Sequence, residues 1–182
     1  LIFMRLQKEK TLKFVRSFLV FLSIFIAKHG PDFVIQQIDS VGENLFARVL
    51  ESLWIPTVQK ISGKVERKLA AVAMIKLIGE SKDMQERYLN YWGKLMATLI
   101  AFIQQGEEEQ PPTDNEEEIE IEDFESFNQL TYASKKDDDP FRDVNLVQML
   151  SAAYKRLLQQ NPGKVKQKER QSLEFFLISH SL

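Results

Sequence analysis

Apolar residues recur at helical spacing along most of this chain, convincing alternating strands are missing, and helix starts keep a steady rhythm. These three observations predict an all-α fold, a solenoid of HEAT-like helix pairs. The starts near Lys64 and Asp143 lie 79 residues apart. Setting aside an insertion of roughly 36 residues leaves a period near the about 40–47 residues of HEAT or armadillo units. Self-similarity between the units is weak, so the expectation rests on helix rhythm.

In chain order, Leu12, Val15, Leu19, Leu22 and Ile26 form one helical stripe, and Phe14, Phe18, Phe21 and Phe25 form a second. Two stripes on one helix predict burial nearly all round, with cover from two sides. Gly30-Pro31 ends this helix. A short helix is expected over 32–39 and a longer one over 43–54, with Pro56 kinking or interrupting it and Ser62-Gly63 stopping the stretch after the proline. Residues 64–78 read as amphipathic, Val65, Leu69, Val72 and Met74/Ile75 facing one way, with Gly79 as a C-terminal stop. The stretch 82–105 reads as helix in two parts, soft at Gly93. After Pro140 the period returns in Val144, Val147, Leu150, Tyr154 and Leu157. Asn161-Pro162-Gly163 marks a turn, and a last helix carries Leu173, Phe176 and Leu177. The expected organisation is helix pairs over 1–105, an acidic insertion over 106–142 and a final helix pair over 143–182.

Within 182 residues of 44% hydrophobic composition there is enough apolar material for a substantial core. The net charge of -2 hides an uneven distribution, because eleven acids fall between Glu107 and Glu125 with no Lys or Arg among them. The rest sets 24 basic residues against 15 acids, a mildly basic body bearing one acidic segment. Pro111-Pro112 and the acids cannot build a core, so 106–123 is expected to be poorly ordered, while 124–132 packs back through its aromatics. The absence of cysteine rules out disulfides and thiolate metal sites. Basic residues ahead of the apolar run at 18–27 imitate a signal peptide, yet Lys28-His29-Gly30 comes next without a small-residue cleavage site. The run is also shorter than the about 20 residues needed to span a bilayer. The chain opens at Leu1, with its first Met at position 4, and is expected to be part of something longer.

No enzymatic signature stands out. His29 and His180 lie at opposite ends, neither with a ligand partner at helical spacing, and the scattered glycines form no phosphate-binding loop. Asp137, Asp138 and Asp139 lack the alternation, central Gly and terminal Glu of a calcium loop. No metal, no cofactor and no catalytic residue is therefore expected. Two surface features remain, the acidic segment and a basic cluster of Lys155, Arg156, Lys164, Lys166, Lys168 and Arg170. The cluster lacks the interleaved aromatics of a single-strand binder, and nucleic acid is not an expected partner. A membrane is not expected either.

The stretches RLQKEKTLKFVRSFLVF, IPTVQKISGKVERKLAAVAMIKLIGE and SFNQLTYASKKDDDP together resemble the C-terminal region of the CAS family of exportins. The likeness runs from Arg5 to about Pro140 and weakens after it, becoming poor beyond Asn161. It implies a HEAT superhelix that wraps importin-α with GTP-bound Ran, in the nucleus and the cytoplasm by turns. In that family the main Ran surface lies in N-terminal repeats that this chain does not contain. The resemblance implies protein contacts in the segment after the insertion, at Lys135, Lys136, Asp137, Asp138 and Asp139. The competing reading is a stand-alone helical scaffold or adaptor that binds a basic partner through the acidic segment.

Overall fold

The computed structural model describes residues 11–107, 143–160 and 167–179, and among them there is no strand. Helix α1 (Leu12–His29) begins where Thr11 accepts the Phe14 N–H on its side-chain oxygen, and it ends at Gly30. Gly30 has φ +86°, a conformation that costs glycine no side-chain clash. Pro31 does not merely stop α1. It occupies the first position of α2 (Pro31–Asp39), where its missing N–H costs nothing.

The expected helix over 43–54 is more irregular. An α-turn, α3 (Leu45–Val49), passes into a π-helical turn over Leu50–Trp54, then α4 (Ile55–Thr57) and a 3-10 turn over Val58–Lys60. In a regular α-helix the Pro56 ring would collide with the Ser52 carbonyl. The π turn widens the helix just before that point, with Ile55 donating to the Leu50 carbonyl five residues back. The chain therefore absorbs the proline instead of breaking at it.

Gly63, at φ +93°, opens α5 (Lys64–Glu80), followed by α6 (Lys82–Glu86), α7 (Leu89–Glu107), α8 (Leu146–Gln160) and α9 (Gln167–Ser179). Helix α5 is the axis of the fold, packing against α1, α7 and α8 and touching α2. Its buried residues run from Leu69 to Ile75 without a gap and on through Leu77, Ile78 and Gly79. It is thus enclosed, not amphipathic, and Val65, expected to face inward, is exposed. The reverse holds for α1. Val15, Phe18, Leu19, Leu22 and Ile26 are buried, whereas Phe21 and Phe25 of the second stripe are exposed.

Both glycines expected to weaken helices lie inside them. Gly93 sits within α7, and the break falls earlier, at the Arg87–Tyr88 turn. Gly79 sits inside α5 because α8 crosses there. A Cβ on Gly79 would lie 2.6 Å from the Ala153 Cβ and 3.3 Å from its Cα. Gly79→Ala tests the sign of this contact. Helix propensity alone would add about 1 kcal/mol of stability. Overpacking of the crossing should outweigh that, for a net loss of about 1–2 kcal/mol in chemical denaturation, recovered largely in the double variant with Ala153→Gly. A stabilised Gly79→Ala would mean that the crossing adjusts freely.

The acidic stretch 108–142 and the turn at Asn161-Pro162-Gly163 lie outside the described residues, as do the expected disorder of 106–123 beyond Glu107 and the packing of 124–132. Helix α9 lies against α7, and its Glu174 accepts a hydrogen bond from the Tyr154 hydroxyl of α8 at 3.5 Å.

Candidate binding surface

Two carboxylates on α2 tie it to the two ends of α6. Asp32, in the first turn of α2, accepts from the Ser81 hydroxyl at 2.5 Å and from the Lys82 and Asp83 N–H groups at 3.2 and 3.3 Å. Ser81 itself caps α6 by accepting the Met84 N–H at 3.0 Å. One side-chain pair thus serves the open N–H groups of a helix far away in sequence. Asp39, two turns on, accepts from the Phe46 N–H at 3.0 Å, from the Tyr88 hydroxyl at 2.5 Å and from Arg87 at 3.0 Å. Arg87 also reaches Asp83, at 3.5 Å.

Burial raises the Tyr88 phenol pKa above its ordinary value, and the hydrogen bond and negative charge of Asp39 raise it further. The neutral phenol is therefore favoured in the folded state. Its contribution is fully present below the unfolded pKa, about 10, and is lost as pH rises beyond it. Tyr88→Phe should lower stability by about 1 kcal/mol at neutral pH. The gap between the two proteins should narrow in denaturation curves above about pH 10, and a gap constant to higher pH would detach Tyr88 from Asp39.

Arg67 performs a similar task at the opposite end of α5. Its guanidinium donates to the carbonyls of Gln59, Ile61 and Phe102 at 3.4, 3.1 and 2.9 Å and stacks 4.2 Å from the Phe102 ring centroid. Burial lowers its pKa from the usual arginine value. These polar groups are all used in holding helices together, and their arrangement offers no nucleophile paired with a base.

The residues singled out in the sequence are not brought into one place. Lys135, Lys136, Asp137, Asp138 and Asp139 lie outside the described residues, and so does His180. Of the basic cluster, Lys155 and Arg156 are exposed on α8, while Lys164, Lys166 and the side chains of Lys168 and Arg170 fall outside. His29 is exposed and lies between two aromatic rings, its centroid 5.3 Å from Phe25 and 5.5 Å from Phe33. Among the described residues no group of acids and histidines could hold a metal ion, and no helix is long and apolar enough to cross a membrane.

The surface that sequence reasoning missed is apolar. A groove of about 270 Å³ runs between α1 and α2, lined by Phe18, Phe21 and Phe25 on one side and Phe33, Val34 and Ile38 on the other. The signal for it is the second stripe of α1, which reads as core because nothing local distinguishes a covered phenylalanine from a bare one.

A family model described as CAS/CSE protein, C-terminus, matches residues 1–175. The chain is 38% identical over 172 residues to exportin-2 of Danio rerio and 37% identical over 172 residues to exportin-2 of Homo sapiens. In each case 91% of this chain is covered but only 18% of the relative, so the chain spans about a fifth of the length of the relatives it matches. Among solved structures it is similar to the exportin Cse1 in its cargo-free, cytoplasmic state, with a TM-score of 0.72 and 21% identity. That match covers 97% of this chain and 19% of the other, and it supports the HEAT-type helical solenoid as the fold.

Proposed function

Because this chain belongs to the CAS/CSE family, we propose that it forms the C-terminal part of a nuclear export receptor that binds importin-α together with GTP-bound Ran and returns importin-α to the cytoplasm. The identity to the exportin-2 proteins, sustained over 172 residues, carries this reading. It runs against the competing reading as an unrelated scaffold. The role is one of binding, not catalysis, exercised by a protein that shuttles between nucleus and cytoplasm. The physics of the surface agrees. Side chains with polar reach are spent on fixing helices to one another, and a stack of helix pairs presents a long curved face in place of a pocket.

In this reading Lys135, Lys136, Asp137, Asp138 and Asp139 meet the partner, and residues 106–142 form an acidic insertion between the helix pairs 1–105 and 143–182. The 182-residue chain alone has weak affinity for importin-α, since such an assembly draws its strength from several arcs closing together. The test is reversal of Lys135 and Lys136 to Glu in the full-length receptor, with assembly of the complex with importin-α and Ran-GTP measured at two ionic strengths. Assembly should weaken by about three- to tenfold at low salt and less at physiological salt, where charges are screened over about 8 Å. Unchanged assembly at both strengths removes these residues from the interface. A full-length receptor that does not take up importin-α at all removes the function.

A further inference from the structure

From Leu45 to Lys60 the chain is one continuous helical run whose winding changes from α to π over Leu50–Trp54, back to α over Ile55–Thr57 and into a 3-10 turn at Val58–Lys60. Polar bonds hold both of its ends. At the start, Asp39 of α2 accepts the Phe46 N–H. At the finish, Arg16 of α1 donates to the Lys60 carbonyl at 3.3 Å, and Arg67 of α5 donates to those of Gln59 and Ile61. The first part of the run, α3, lies against α2, while α4 and the 3-10 turn lie against α7. The π turn stands between these two supports.

Inside that turn Leu50, Leu53 and Trp54 are buried. The Trp54 indole N–H is buried with them and has no hydrogen-bond acceptor among the described residues. Trp92, equally buried, spends its own Nε1–H on the Ile78 carbonyl at 3.2 Å. A buried donor left without a partner raises the free energy of the conformation that contains it. Pro56 acts in the opposite sense, because α winding would drive its ring into the Ser52 carbonyl. The turn therefore carries one determinant that favours the π form and one that disfavours it.

We propose that Leu50–Trp54 is a conformational hinge that exchanges π for α winding. In the second state the Trp54 indole gains a carbonyl acceptor, and the part of the run seated on α2 rotates against the part seated on α7. Movement concentrates here because charged side chains hold the run on both sides of the turn, whereas the side chains buried inside it are held by apolar packing. Single π turns within α-helices recur at functional positions, and this one lies where two layers of the stack meet. The hinge follows from the fold alone and holds whatever partner the receptor carries.

Nitrogen relaxation dispersion and hydrogen exchange on the 182-residue chain test it, with the two indole N–H groups as internal comparators. Exchange broadening is expected at the amides of Leu50, Leu53, Trp54 and Ile55 and at the Trp54 indole, and not at the α5 amides between Leu69 and Ile78 or at the Trp92 indole. The Ile55 amide, which donates to Leu50, should exchange with solvent roughly tenfold faster than those of α5. Pro56→Ala removes the ring that favours the π form and should raise the population of the second state roughly threefold. Trp54→Phe removes the unspent donor and should lower it by roughly the same factor, with circular dichroism checking that each variant is folded. Flat dispersion profiles over 50–55 together with hydrogen exchange as slow as in α5 overturn the proposal. So does motion shared equally by α5, which assigns it to the whole bundle. So do populations that either folded variant leaves unchanged or moves the other way. If Trp54→Phe does not fold, Pro56→Ala decides alone.

Discussion

Leu22→Ala is expected to lower the unfolding free energy by about 2–5 kcal/mol, while Phe21→Ala, the very next position toward the amino end, changes it by less than about 1 kcal/mol. Leu22 is 4% exposed and belongs to the central cluster, alongside Leu19 and Ile26 at 0%. Truncation there removes three carbons from water-free surroundings and leaves a hole between α1 and its neighbours that rigid helices fill only in part. Phe21 already meets solvent, so its truncation forfeits little burial in this chain. Urea denaturation of the two variants decides the matter. Equal losses would mean that the second stripe of α1 is buried after all and that the groove beside it is closed in solution.

Arg67→Met should cost about 2–4 kcal/mol, and Arg67→Lys should recover little of it. The guanidinium reaches carbonyls on three segments, in the 3-10 turn at Gln59, just beyond it at Ile61 and near the end of α7 at Phe102. Each is a charge-assisted bond, and the flat face of the group is covered by the Phe102 ring. Methionine keeps the packing of the stem but leaves these carbonyls short of a donor. Lysine brings a single ammonium that cannot span a fork of such width. Thermal and urea melts of the pair check this, and a lysine variant as stable as the parent would show that charge alone suffices there.

The helices themselves are legible in the sequence because their signals are local. Thr11 before an apolar run, glycine at the two positive-φ junctions and the 3.6-residue period of Leu and Val all act within a few residues. The misleading residues are those whose role is set by a distant neighbour. Gly79 reads as a helix stop until Ala153, which crosses it, is known, and Gly93 reads as a soft point although α7 runs straight through it. Periodicity places Val65 and Phe21 inside, because it registers that a face is apolar but not whether anything covers it. Asp32 and Asp39 give no cue at all, because their partners lie about fifty residues onward in the chain and a surface acid near a helix end is commonplace.

Those two acids have a mechanical consequence. They grip the two ends of α6 from points two turns apart on α2, and two separated pins fix both the translation and the rotation of α2 against α6. Apolar contacts tolerate small sliding, whereas a hydrogen bond lengthened by an ångström is lost. A change in the curvature of the superhelix therefore cannot be taken up at this joint. Any bending is displaced to joints held by greasy contact alone, and the α2–α6 pair travels through it as a rigid strut.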